Sequence, residues 1–144
     1  MAFSDKPEGP FLHAVPIPGT EFPNCGDPAV FVDEDGSAYL YWGQFYLKGC
    51  RLKDNMCELE ADTIRTMLLT EEEHGFHEGS SMRRRGDFYY LIYCDTDRGA
   101  ATCLSYAVGR SPLGPFEKRG VIIDNAGCDL ATWNNHGSIV CFHD

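Results

Sequence analysis

Positive charge is what this chain has least of. Its 12 Lys and Arg stand against 22 Asp and Glu, a formal charge of −10 with a pI near 4.8. A surface this acidic repels phosphate backbones and anionic headgroups, so neither nucleic acid nor a membrane surface is an expected partner. No run approaches the roughly 20 apolar residues of a membrane span, and no basic-then-apolar leader segment opens the chain. No CxxC pair occurs among the seven cysteines, at 25, 50, 57, 94, 103, 128 and 141, which argues against a zinc knuckle. Their odd number reads as reduced, structural thiols. Cys94, Cys103 and Cys141 sit in or beside apolar runs, where a free thiol acts as a small hydrophobe. That usage favours a reducing compartment, the cytoplasm.

What the chain does have is a faint internal repeat. Asp27-Pro28-Ala29-Val30-Phe31 opens a run that reaches Tyr39-Leu40-Tyr41-Trp42. Glu78-Gly79-Ser80-Ser81-Met82 opens another that reaches Tyr90-Leu91-Ile92-Tyr93, with Asp27 on Glu78 and Tyr39 on Tyr90 and no gap. A third copy begins at His136-Gly137-Ser138-Ile139-Val140. The links repeat as well: Pro7-Glu8-Gly9-Pro10-Phe11 matches Pro112-Leu113-Gly114-Pro115-Phe116. Short strands at a period of about fifty residues are the mark of a β-propeller blade. The expected fold is therefore all-β, with two to three four-stranded antiparallel blades. A propeller typically closes with about four to eight, so the 144 residues read as a fragment of one propeller domain. Its open blade edges are candidates for self-association.

The local pattern is almost all strand. Residues 30–32 and 38–42 flank Asp33-Glu34-Asp35-Gly36, a hairpin turn. Residues 44–51 read as the next strand. Residues 80–83 and 88–93 flank a second hairpin at Arg84-Arg85-Gly86-Asp87, followed by strands over 101–109 and 116–123. A short helix is expected over 58–69, against the β-branched Thr63 and Ile64. Residues 16–28 and 124–135 are loops.

The repeat singles out three positions. Asp27, Glu78 and His136 each stand at the start of an equivalent strand, which in a propeller lines the central channel. Two carboxylates facing one funnel repel each other, so one pKa should rise, as a general acid requires. Which of the two carries it, the spacing leaves open. His136, beside acidic groups, is a candidate ion or water site. Trp42, Phe45, Tyr46 and Trp133 could stack on a sugar; for Trp42, packing between blades is the stronger alternative. Asp33-Glu34-Asp35-Gly36 resembles the opening of a calcium loop. It has Gln44 where the twelfth-position Glu should stand, so it reads as a turn.

Five stretches in order carry a more specific resemblance. They are residues 26–33 (Gly-Asp-Pro-Ala-Val-Phe-Val-Asp), 39–43 (Tyr-Leu-Tyr-Trp-Gly), 78–82, 111–116 and 134–140. Together they make the chain similar to glycoside hydrolase family 43, five-bladed propeller enzymes acting on xylosides and arabinosides. The resemblance implies an inverting glycosidase of plant polysaccharide breakdown with three carboxylates. Glu78 matches the acid that protonates the leaving oxygen, which makes it the expected carrier of the raised pKa. Asp27 matches the carboxylate that tunes the acid and orients substrate. His136 matches a histidine beneath the centre, often next to a bound calcium or a water. No cofactor is implied beyond such a structural calcium. Trp133, His77 and Trp42 are the expected substrate-binding residues, and the expected partner is a xylose- or arabinose-containing oligosaccharide.

The third carboxylate, the general base, belongs roughly two blades before Asp27. Asp5 lies in a linker rather than at a strand start and does not match it. The chain alone is therefore expected to be inactive. The alternative reading is a non-catalytic carbohydrate-binding propeller piece. Binding alone needs no paired acids, which favours the first.

Overall fold

The computed structural model describes residues 1–21, 23–99, 103–127 and 135–140. Seven strands form two antiparallel sheets. The first holds β1 (Ala29–Val32), β2 (Ala38–Trp42) and β3 (Lys48–Arg51) in that order. The second holds β4 (Phe76–Arg85), β5 (Phe88–Asp95), β6 (Cys103–Gly109) and β7 (Phe116–Ile123), again in chain order. A four-residue helix, α1 (Glu71–His74), lies between the sheets in sequence. It opens on a Thr70 side-chain cap to the Glu73 N–H and closes on Gly75 in the left-handed region.

The first sheet is completed by an irregular fourth edge. Gly49 and Arg65 exchange both backbone hydrogen bonds, Leu47 donates to Leu69 O, and Leu68 donates to Leu47 O. Residues 65–71 thus run antiparallel to 45–49. The helix expected over 58–69 shrinks to one 3₁₀ turn at Ala61–Thr63. The Thr63 hydroxyl accepts from Arg51 N–H and donates to Glu60 O, so the β-branched residue is spent on a turn. The strand expected from 44 starts only at Lys48, because Phe45 adopts φ +66°. Both hairpins form where expected, with Gly36 and Gly86 at positive φ.

The N-terminal segment extends the repeat. Phe3 pairs with Leu12, and Met1 and Val15 exchange hydrogen bonds. Their counterparts 105 positions on are Val108↔Glu117 and Tyr106↔Gly120, which pair in the β6–β7 register. Residues 1–15 therefore have the outer hairpin geometry of a blade.

Alternation along the strands buries both faces of the first sheet. Phe31 and Tyr41 point toward the second sheet and meet Met82, Tyr89, Leu91, Tyr93, Ala107 and Phe116. Ala38, Leu40 and Trp42 point the other way, onto Ile17, Cys50 and Leu52. Phe31 stands edge-on to Tyr89 at 6.0 Å, and the Tyr41 hydroxyl donates to Pro112 O at 2.7 Å. Truncating a fully buried Leu such as Leu91 would cost about 2–5 kcal/mol, through lost burial and the cavity left behind. This interface sets the first strands of neighbouring sheets, β1 and β4, side by side. No helix among the described residues is long and apolar enough to cross a membrane.

Candidate active site

The site forms where β1 and β4 begin. Asp27 precedes Pro28 and β1, with φ +50°. Side chains rarely take that conformation, Asp more readily than most, and proline disfavours helical geometry before it. Such local strain is often kept where a side chain must be aimed. Glu78 is aimed by different means. The β4–β5 register slips once between Phe76 and Glu78 and again between Glu78 and Ser81. Two bulges therefore flank the acid and turn it out of the plain alternation. Gly79 sits at φ +67°, and a Cβ there would come within 2.8 Å of His136 Nδ1. The missing side chain is what lets the imidazole lie against β4.

Asp27, Glu78 and His136 each bring a donor atom within 4.8 Å of the others. His136 Nε2 lies 3.2 Å from Glu78 Oε1, and Gln44 Nε2 donates to Glu78 Oε2 at 2.8 Å. The Glu78 side chain is 15% exposed and His136 42%, so the cluster is open on the histidine side. The Asp27 carboxyl is held above its ordinary value. Partial burial is the main cause, the Glu78 charge the next; the His136 and His77 imidazoles pull the other way. An oxygen of each carboxyl lies within 4.8 Å of the other. An inverting acid and base stand about 6.5–9.5 Å apart, so Asp27 does not fit the base of such a pair with Glu78.

The expected sugar contacts fare differently. Trp42 is 2% exposed and packs with Ile17, Leu40 and Leu52, which corrects its reading as a substrate platform: neither ring face is free. His77 is buried too. Its Nδ1 is 2.9 Å from Glu71 Oε1, and its ring meets Phe45 edge-on at 5.2 Å. It braces the site from behind and offers a sugar little surface. Phe45 remains half exposed. Trp133 lies outside the described residues, as do Cys128 and Cys141. Cys50, Cys94 and Cys103 are buried thiols, and burial raises the Cys94 thiol to a pKa of about 11. Gln44, missed as a site residue, carried no motif of its own; only the coordinates bring it to Glu78.

The family profile described as glycosyl hydrolases family 43 matches residues 1–144. The chain belongs to glycosyl hydrolase family 43. Among its relatives is a β-xylosidase of Xylanibacter ruminicola, 32% identical over 97% of this chain and 52% of that protein. The crystal structure of the GH43_1 enzyme from Xanthomonas citri with xylotriose superposes with a TM-score of 0.77 at 28% identity, covering 98% of this chain and 51% of that one. A compost-metagenome β-xylosidase/α-arabinofuranosidase, crystallised with xylotriose in a calcium-free form, matches at 0.76 and 27%, over 98% of this chain and 52% of that one. This family 43 chain thus spans about half the length of the curated relatives it matches, and its two sheets are blades of a β-propeller.

Proposed function

We propose that these residues are part of one catalytic propeller domain that hydrolyses xylosides or arabinosides with inversion. One observation carries the reading. In a family 43 chain, the acids at equivalent repeat positions, Asp27 and Glu78, meet within 4.8 Å around His136. Glu78 serves as general acid, giving its proton to the glycosidic oxygen as the C–O bond breaks. Asp27, closer to Glu78 than the about 6.5–9.5 Å of an inverting acid and base, orients the sugar and tunes the acid. The nucleophilic water is deprotonated by a base that this cluster does not contain among the described residues. Relatives crystallised with xylotriose support an oligosaccharide as substrate.

The donors at His136 make a poor calcium cage. Calcium takes about six to eight oxygens, whereas the cluster offers two carboxylates and an imidazole, with both Glu78 oxygens already engaged. No step of the mechanism passes through an ion there.

The test is hydrolysis of nitrophenyl xyloside and arabinofuranoside, with the anomer of the first-formed sugar read by NMR. The 144 residues alone should turn over negligibly, and a longer protein that also carries the base, the protein with a base supplied, should release the inverted sugar. Sugar binding without hydrolysis in that longer protein would favour the non-catalytic reading.

A further inference from the structure

The geometry points to Gln44 as the positioning residue of the acid, holding Glu78 through Oε2 so that Oε1 is the oxygen that carries the transferable proton. This inference rests on the reading of Glu78 as general acid.

Gln44 is itself held on both sides. Its backbone N–H donates to Asn24 Oδ1. Asn24, 6% exposed, donates from Nδ2 to Tyr46 O at 2.9 Å and accepts at its own carbonyl from Lys48 Nζ at 3.4 Å. The preceding Gly43 has φ +126°, and a Cβ there would fall 2.4 Å from Tyr46 O and 2.7 Å from Asn24 Nδ2. The next residue, Phe45, has φ +66°, and its N–H donates to His77 O at 2.8 Å. The chain from 43 to 46 therefore leaves the strand path to form a kinked shoulder, tied to Asn24 before it and to β4 across from it. Positive φ at a non-glycine residue is strained and persists where the surroundings enforce it. The result of that distortion is one side chain, Gln44, placed against the acid.

The amide fits this task. It is neutral and faces the carboxylate with its nitrogen, so it donates without competing for the proton. With Oε2 occupied by the Gln44 donor, the proton of the acid form goes to Oε1, where the Nε2 of a His136 protonated at Nδ1 accepts it until a glycosidic oxygen takes that place. A glycosidic oxygen approaching that side meets the acid in one orientation rather than several, and such orientation is a main source of rate.

Two measurements test this. In the 144-residue chain, the side-chain amide protons of Gln44 should be shifted and protected from exchange, and Glu78→Ala should abolish both effects while the core amide of Leu47 keeps its own. Unchanged Gln44 signals overturn the inference, whatever the protein's activity. In the protein with a base supplied, Gln44→Ala should lower kcat on xylobiose about 10- to 100-fold, the worth of one hydrogen bond to a charged group. On dinitrophenyl xyloside, whose leaving group needs no protonation, kcat should hold within about threefold. Equal losses on both substrates, or none on either, overturn the inference alone. If the unsubstituted protein hydrolyses neither while the Gln44 signals behave as expected, the glycosidase reading fails and the inference falls with it.

Discussion

The two ends of the inner strands answer the same repeat in opposite ways. At one end Asp27 and Glu78, 51 positions apart, face each other as like charges. At the other end Asp33 and Arg84, also 51 apart, form an ion pair at 3.1 Å. The Tyr89 hydroxyl adds a 2.6 Å hydrogen bond to Asp33 Oδ2, and Arg84 lies over the Tyr89 ring. Asp27 is pushed above its ordinary pKa. Asp33 is held below its own: burial would raise it, but hydrogen bonds from Tyr89, the Glu34 N–H and Arg84, together with the Arg84 charge, outweigh that. One end is built to hold neighbouring blades together. The other keeps a repulsion that folding would remove if stability alone were selected, and such misfits mark functional sites.

The largest expected effect breaks that comparison at the Glu78 end. Glu78→Gln, in the protein with a base supplied, should lower hydrolysis of an unactivated xyloside by about 10²–10⁴-fold, the usual worth of a general acid. Arg84→Met at the opposite end should leave kcat and KM within about twofold, since its partners Asp33 and Tyr89 belong to the blade contact and not to the site. Steady-state kinetics of the two variants decide it. An equal loss in both would mean that the ends are not functionally distinct.

Stability should separate the ends the other way round. Asp33→Ala removes an acceptor shared by a buried tyrosine hydroxyl and a guanidinium, and should cost about 2–3 kcal/mol, at the upper range for hydrogen bonds to a charged group. Glu78→Gln should cost less than about 1 kcal/mol, because it removes a like-charge contact along with a partner of Gln44 and His136. Urea denaturation followed by tryptophan fluorescence measures both. A Glu78→Gln variant destabilised as much as Asp33→Ala would make the site end structural after all.

Much of this contrast is legible in the sequence, because the repeat has a fixed length. Equal spacing puts 27 on 78 and 33 on 84, and the 105-residue spacing of the links fixes the hairpin of residues 1–15. Strand alternation locates the interface between the sheets, and the turn signals at Gly36 and Gly86 locate both hairpins. The losses lie where local chemistry overrides the pattern. Thr63 turns an expected helix into a single turn, and Asn24 with Gly43 diverts the expected start of β3. Trp42 looked able to stack on a sugar because residue type alone does not say which ring face is covered. Gln44 was invisible for the same reason: its partner lies 34 positions away across a kink. Desolvation, which no spacing reports, is the main cause that raises Asp27.

The smallest expected effect is the pH dependence of stability, and it sharpens the comparison because the two aspartates contribute with opposite sign. Asp33, depressed in the folded state, stabilises fully above its unfolded value, near 3.8, and that contribution is lost as pH falls through its folded value. Asp27, raised in the folded state, penalises folding at neutral pH. The penalty shrinks as pH falls through its raised value and is gone below about 3.8, where both states are protonated. Asp27→Asn removes this second effect and leaves the first. At neutral pH the variant should therefore be slightly more stable than the unsubstituted chain, by less than about 1 kcal/mol for a partly exposed group. The gap should close as pH is lowered from about 7 to below 4, the range in which a carboxyl titrates. Both proteins should then lose stability together as Asp33 protonates. Urea midpoints at intervals across that range measure the gap directly. A gap that stays constant, or widens toward acid, would mean that Asp27 does not carry the raised carboxyl, and the charge contrast between the two ends would rest on Asp33 and Arg84 alone.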